Sequence, residues 1–166
     1  MGADVGIRFK FIDTDQYITG TSATDIWYAE KEQTVEQLKT DVGSFYPASK
    51  VTTAWALKLP PPSNMTLDNY AKVGDYPIND GDYLLFQDPE LAKISYSENN
   101  GPTKSIWTRR SETILAVKRR AFPGQENNYA FRQNGTTIAD TATVGSLVNS
   151  TVDNVYLDLI YNARGG

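Results

Sequence analysis

From Val5 the chain reads Val-Gly-Ile-Arg-Phe-Lys-Phe, so that apolar Ile7, Phe9 and Phe11 alternate with polar Arg8 and Lys10. Alternation with period two predicts a strand with one buried face. A polar stretch rich in Thr, Ser and Gly follows, and a second strand is expected over residues 25–29. The period then changes. Val35, Leu38, Val42 and Phe45 recur at three- and four-residue spacing, which predicts a helix with one apolar stripe. Thr34, with Gln37 three residues on, reads as a capping-box start. Residues 51–59 read as a third strand, stopped by Pro60, Pro61 and Pro62, which have no N–H to give a ladder. Residues 82–87 read as a fourth.

The second half repeats this order. Ile94 and Tyr96 mark a first strand, and residues 105–108 a second. A helix is expected over residues 112–121, closed by Pro123-Gly124. Tyr-Ala-Phe-Arg-Gln from Tyr129 is a third strand turning at Asn134-Gly135, a strong hairpin signal. In the last strand Val155, Leu157 and Leu159 share one face, and Tyr156, Asp158 and Ile160 the other.

Short motifs recur as well. Ile26-Trp27 corresponds to Ile106-Trp107, and Asp80-x-x-Tyr83-Leu84 to Asp153-x-x-Tyr156-Leu157. Thr34-Val35-x-x-Leu38-Lys39 corresponds to Thr113-Ile114-x-x-Val117-Lys118, with one residue fewer before the second copy. Self-similarity of this kind marks a duplicated unit. The expectation is α+β, two copies of a small roll in which a sheet grips one helix, over residues 1–88 and 89–166. Trp27 and Trp107 are expected at equivalent positions, packed in the cores or between the copies. Trp55 fits either core or surface.

Composition narrows the chemistry. The 166 residues are 40% hydrophobic, which supplies packed cores, and the net charge of -4 leaves no overall nucleic-acid footprint. There is no cysteine and no histidine, which removes thiolate nucleophiles, Cys/His metal sites and histidine bases. No paired carboxylates suggest a hydrolase, so no catalytic residue and no enzyme is expected. No apolar run reaches membrane-spanning length and no secretory signal opens the chain, so a cytoplasmic protein is expected. Arg109, Arg110, Lys118, Arg119 and Arg120 cluster around the second helix and read as its solvated face. Asn79–Tyr83 has the look of a calcium loop without the spaced ligand set, so a turn and no metal is expected.

The last residues, Asn162-Ala163-Arg164-Gly165-Gly166, run straight out of the final strand. With glycine at roughly 7% of average usage, two in the last two places arise by chance in about one chain in two hundred. Together with the repeat, they carry a resemblance. Thr-Val-Glu-Gln-Leu-Lys-Thr-Asp-Val, from Thr34, resembles the first helix of ubiquitin. Met65-Thr-Leu-Asp-Asn-Tyr70 resembles its turn before the last strand, and the segment from Val155 to Gly166 is similar to its C-terminal strand and Arg-Gly-Gly tail. The resemblance runs twice through the chain, with the tail once. It is to tandem ubiquitin-like modifiers of two β-grasp domains, most like the BilA-type modifiers of bacterial anti-phage conjugation systems.

The resemblance implies a protein substrate of other enzymes. Gly166, with Gly165 before it, would be the conjugated end, and Arg164, Asn162 and Ala163 the tail that enzymes recognise. The implied partners are an ATP-using activating enzyme, a conjugating enzyme, a processing and deconjugating metallopeptidase, and lysines of target proteins, with a phage structural protein as a candidate. No cofactor would reside in the chain, and neither nucleic acid nor membrane is an expected partner. Lys50 and Lys118 are candidates to accept further copies. Ile160 with Arg132 and Ala130 would form the partner surface. Two departures stand out. Asn162 occupies the place of an arginine that ubiquitin uses to choose its activating enzyme, and the third strand has Ala130 or Arg132 where an isoleucine is expected. A sulfur carrier using a C-terminal thiocarboxylate and a non-covalent binding module are the alternatives.

Overall fold

The computed structural model describes residues 4–18, 26–148 and 154–161. The chain divides into two compact units, Met1–Pro89 and Glu90–Gly166. Among the described residues there are two sheets and two α-helices, an α+β composition with one helix per unit.

In the first unit, β1 (Asp4–Phe11) pairs antiparallel with β2 (Trp27–Glu30) and parallel with β4 (Tyr83–Gln87). β3 (Ala56–Lys58) pairs antiparallel with β4, so the sheet order is β2-β1-β4-β3. The helix α1 (Val35–Phe45) starts as its sequence requires. The Thr34 hydroxyl accepts from Gln37 N–H at 3.2 Å, and the Gln37 side chain accepts from Thr34 N–H at 3.3 Å. Val35, Leu38 and Val42 are fully buried in one cluster with Ile7, Leu84 and Phe86 from the sheet.

Three local expectations change here. Phe45 does not join the buried stripe. It lies at the edge of the helical face, in the last position of α1, and is 68% exposed, with its ring edge-on to Trp27 and Tyr46. The third strand shrinks to Ala56–Lys58, because Thr52 spends its hydroxyl on Ala54 N–H and its carbonyl on Trp55 N–H. Those local bonds turn the chain before it can join the ladder. The second strand is Trp27–Glu30, and the earlier part of its expected span lies outside the described residues. Trp55 is half-buried against Phe11 and Phe86, on the core side.

In the second unit, β5 (Leu91–Glu98) pairs antiparallel with β6 (Lys104–Arg109) and parallel with β9 (Asn154–Tyr161). β7 (Tyr129–Gln133) joins the other side of β9, and a short β8 (Thr136–Thr137) closes a hairpin with it, giving the order β6-β5-β9-β7-β8. Asn134 and Gly135, at φ +52° and +80°, make that turn. The helix α2 (Ile114–Ala121) begins after Thr113, whose hydroxyl accepts from Ala116 N–H at 3.2 Å. Ile114 and Val117 are buried with Ile94, Phe131 and Leu159.

The two tryptophans are not equivalent, contrary to the expectation. Trp27 pairs with fully buried Ile7 and packs on the core, whereas Trp107 pairs with Lys93 on the opposite, outer face. The residue that takes the place of Trp27 is Ile106, paired with buried Ile94. The one-residue difference in spacing to the helix explains this, since a shift of one along a strand exchanges its faces.

Candidate functional site

β9 is the strand that leads to the tail, and it is an interior strand with partners on both sides. Its alternation fixes which side chains face outward. Val155, Leu157 and Leu159 are buried, while Tyr156 is 70% exposed. The far end is held by rings. Tyr161 lies against its cross-strand partner Tyr129 at 5.1 Å, and Tyr129 stacks on Phe122 at 4.3 Å. Asn162, Ala163, Arg164, Gly165 and Gly166 lie outside the described residues.

On the outer face, Ala130 stands directly across from Ile160, and Arg132 from Asp158. The three residues singled out in the sequence, Ala130, Arg132 and Ile160, therefore sit side by side on one face of β7 and β9. Tyr156 and Asp158 complete that face, and the period of two in the last strand was the signal for them. Further across the sheet, Ser95 is buried, with its hydroxyl within 3.1 Å of Ser105 Oγ and of Asn154 Oδ1. Lys93 lies over the Trp107 ring at 5.6 Å. The face offers the aliphatic Ala130 and Ile160, the exposed phenol of Tyr156, and the Arg132 cation beside the Asp158 anion.

A cleft of about 280 Å³ opens near the end of β9 between Tyr96, Phe122, Tyr129 and Leu159, with Glu98 and Lys104 at its rim. Burial pushes the Tyr96 phenol up from its ordinary value, so it remains a neutral hydroxyl at physiological pH.

The basic cluster around α2 is less basic than its sequence. Lys118 is buried, pairs with Asp140 at 2.7 Å and donates to Tyr129 O at 3.0 Å. Arg120 pairs with Glu112 at 2.7 Å, and Arg119 approaches Glu126 at 4.0 Å. Lys118, a candidate acceptor for further copies, is thus committed inside the fold, whereas Lys50 is exposed. The acidic turn before β4 is also committed. Asp80 accepts from Gly6 N–H and Asp82 from Asn79 N–H, both at 2.8 Å. Among the described residues no cluster of three or more acidic side chains is arranged to hold a metal ion, and no helix is long and apolar enough to cross a membrane.

No protein-family model matches the chain, and no curated protein matches it. Among solved structures, a chain from a crystal structure of a pParkin-pUb-UbcH7 complex is similar at a TM-score of 0.38 and 19% sequence identity. The match covers 44% of this chain and 23% of that one, a likeness too slight to carry an argument about fold or function.

Proposed function

We propose that the protein is a tandem ubiquitin-like modifier of two β-grasp domains, attached to target lysines through the carboxylate of Gly166. The observation that carries the reading is the course of the last strand. β9 lies beside β5, parallel to it, with α2 packed in the same core, and the sequence passes from Tyr161 directly into Asn-Ala-Arg-Gly-Gly. A strand bonded on both sides and clamped by Tyr129 and Phe122 is a rigid base for a short handle. Five extended residues reach roughly 16 Å, enough to enter a recessed active site while the body stays outside. Two glycines pass a channel too narrow for side chains and leave the terminal carbonyl open to attack.

The chemistry belongs to partner enzymes. The Gly166 carboxylate attacks the α-phosphate of ATP, forming an acyl-adenylate and releasing pyrophosphate. An enzyme thiolate displaces AMP to give a thioester, and a lysine amine displaces the thiol to give an isopeptide. Arg164 would pair with carboxylates in the enzyme channel. The outer face of Ala130, Arg132, Asp158 and Ile160 would meet partner enzymes. A place in bacterial anti-phage conjugation, with a metallopeptidase as the reversing partner, follows from the same reading.

Trypsin cuts after Arg164 and leaves Gly165-Gly166 as a remnant on any modified lysine. Digests of cells carrying the native locus are expected to contain that remnant, and a Gly166 deletion is expected to abolish it. Remnants that persist in the deletion, or none when the pathway is active, would overturn the proposal. In that event a C-terminal thiocarboxylate in the intact mass would identify a sulfur carrier.

A further inference from the structure

The helix N-caps Thr34 and Thr113 set the two units in one register, and the neighbouring backbone bonds coincide in it. Gln33 N–H donates to Glu30 O at 3.1 Å, and Glu112 N–H to Arg109 O at 3.0 Å. Val73 N–H donates to Gln33 O at 2.9 Å, and Val144 N–H to Glu112 O at 2.8 Å. In this register Tyr28 answers to Trp107, Gln33 to Glu112 and Asp41 to Arg120.

In the second unit, Arg120 reaches back from α2 to the outermost strand. Both of its terminal nitrogens donate to Trp107 O at 3.3 Å, and it pairs with Glu112 at 2.7 Å. The guanidinium fills the space between helix and sheet edge. In the first unit that position holds Asp41, of opposite charge, which accepts from Gln33 Nε2 at 2.6 Å. Among the described residues nothing covers the edge there, and that edge is polar. Gly6 N–H donates to Asp80 and Gly6 O accepts from Gly81 N–H, both at 2.8 Å, so Gly6 bonds away from β2. Its cross-strand partner Tyr28 therefore turns its own N–H and C=O toward the free edge.

A cleft of about 370 Å³ opens there, bordered by Trp27, Tyr28, Glu30, Gln33, Gln37 and Asp41. Its surroundings are aromatic, with Tyr28 and Phe45 each 68% exposed and Phe45 edge-on to Trp27 at 5.5 Å. Lys72, whose backbone bridges to Thr34, is taken by Glu32 at 2.7 Å. The second unit supplies the guanidinium from its own chain, whereas the first unit has an anion, an outward carbonyl and the Trp27 ring at the cleft where that guanidinium would be.

We propose that this cleft of the first unit is a docking site for an arginine presented on an exposed peptide segment of a partner protein. The guanidinium pairs with Asp41 and donates to Tyr28 O, as Arg120 does to Glu112 and Trp107 O, and lies against the Trp27 and Phe45 rings. The site is non-covalent and independent of the Gly166 chemistry, so it stands or falls separately from conjugation.

The test is an NMR titration of the full-length, ¹⁵N-labelled protein with acetyl-Ala-Arg-Ala-amide, and with the glutamate analogue as control. The arginine peptide is expected to give saturable shifts at Trp27, Tyr28, Gln33 and Asp41, and the glutamate peptide none. Asp41→Arg, which supplies the cation in cis, is expected to weaken binding at least tenfold, and Asp41→Asn to weaken it less. Arg120→Asp is expected to open a second site, seen as new shifts at Trp107 and Glu112. Absence of saturable shifts, equal response to both peptides, or binding that survives both Asp41 substitutions would overturn the proposal.

Discussion

Lys39 in α1 and Lys118 in α2 stand at the same step of their helices, five residues after the capping threonine, and both are buried, at 3% and 5% exposure. Their partners come from equivalent loops, because Asn69 O accepts from Glu36 N–H just as Asp140 O accepts from Leu115 N–H. The chemistry differs. Lys39 Nζ donates to the neutral Asn69 Oδ1 at 2.5 Å, whereas Lys118 pairs with the Asp140 carboxylate at 2.7 Å. Burial holds Lys39 below its ordinary pKa, with Glu36 and Asp68 pulling it partly back. The fold thus asks for a long aliphatic stem beneath the helix and leaves the charge to be satisfied by whatever the loop supplies. The Arg120 and Asp41 positions show the same independence: one scaffold position closes an edge in the second unit and leaves a cleft in the first.

The comparison is tested most severely in the cores. Leu57 and Phe131 are equivalent, each accepting from a loop amide, Leu67 N–H at 2.8 Å and Ile138 N–H at 2.9 Å, and both are fully buried. Truncating Phe131 to Ala is expected to cost about 3–5 kcal/mol, with Leu57→Ala at or below that range, in urea unfolding followed by far-ultraviolet circular dichroism. A cost below about 1 kcal/mol for Phe131→Ala would mean that the second core is not packed as described.

Exchanging the lysine partners has a smaller effect. Asp140→Asn recreates the first unit's pairing in the second and is expected to cost about 1–2 kcal/mol, less than a fully buried pair because the Asp140 side chain is 43% exposed. Asn69→Asp is expected to stabilise the first unit by under about 1 kcal/mol. Shifts of unfolding midpoint in the same direction for both exchanges would break the comparison.

The smallest expected effect is in pH dependence. Because the native state holds the Lys39 proton less tightly than the unfolded chain does, the unfolded state binds more protons between the depressed native pKa and the ordinary 10.5. Lys39 therefore costs stability at neutral pH, and that cost fades as pH rises through this window. Unfolding midpoints of the natural protein and of Lys39→Met, taken from pH 7 upward, are expected to converge toward or cross in favour of lysine at alkaline pH. Parallel curves would show a hydrated Lys39.

Much of this was legible in the sequence. The Thr34 cap, the Asn134-Gly135 turn and the two faces of the last strand follow from local rules, and Ala130, Arg132 and Ile160 do share a face, whereas the second helix starts at Ile114 after a Thr113 cap and not at residue 112 as expected. Phe45, the shortened third strand and the fate of the basic cluster were not. Phe45 has helical spacing but stands where the helix runs out, and the cations of α2 find carboxylates that sequence distance conceals. The buried lysines were marked only by their recurrence in the Leu-Lys and Val-Lys pairs.

The chain by itself determined which segments are strands and which are helices, and that they occur twice, because periods of two and of three to four residues and the capping bonds are local. Tertiary structure alone decided that Trp27 faces a core while Trp107 faces outward, and that Arg120 covers a strand edge while Asp41 leaves one open. Those outcomes depend on strand register and on residues distant in sequence. A single residue of spacing reverses every side chain along a strand, while leaving the alternation that predicts the strand unchanged.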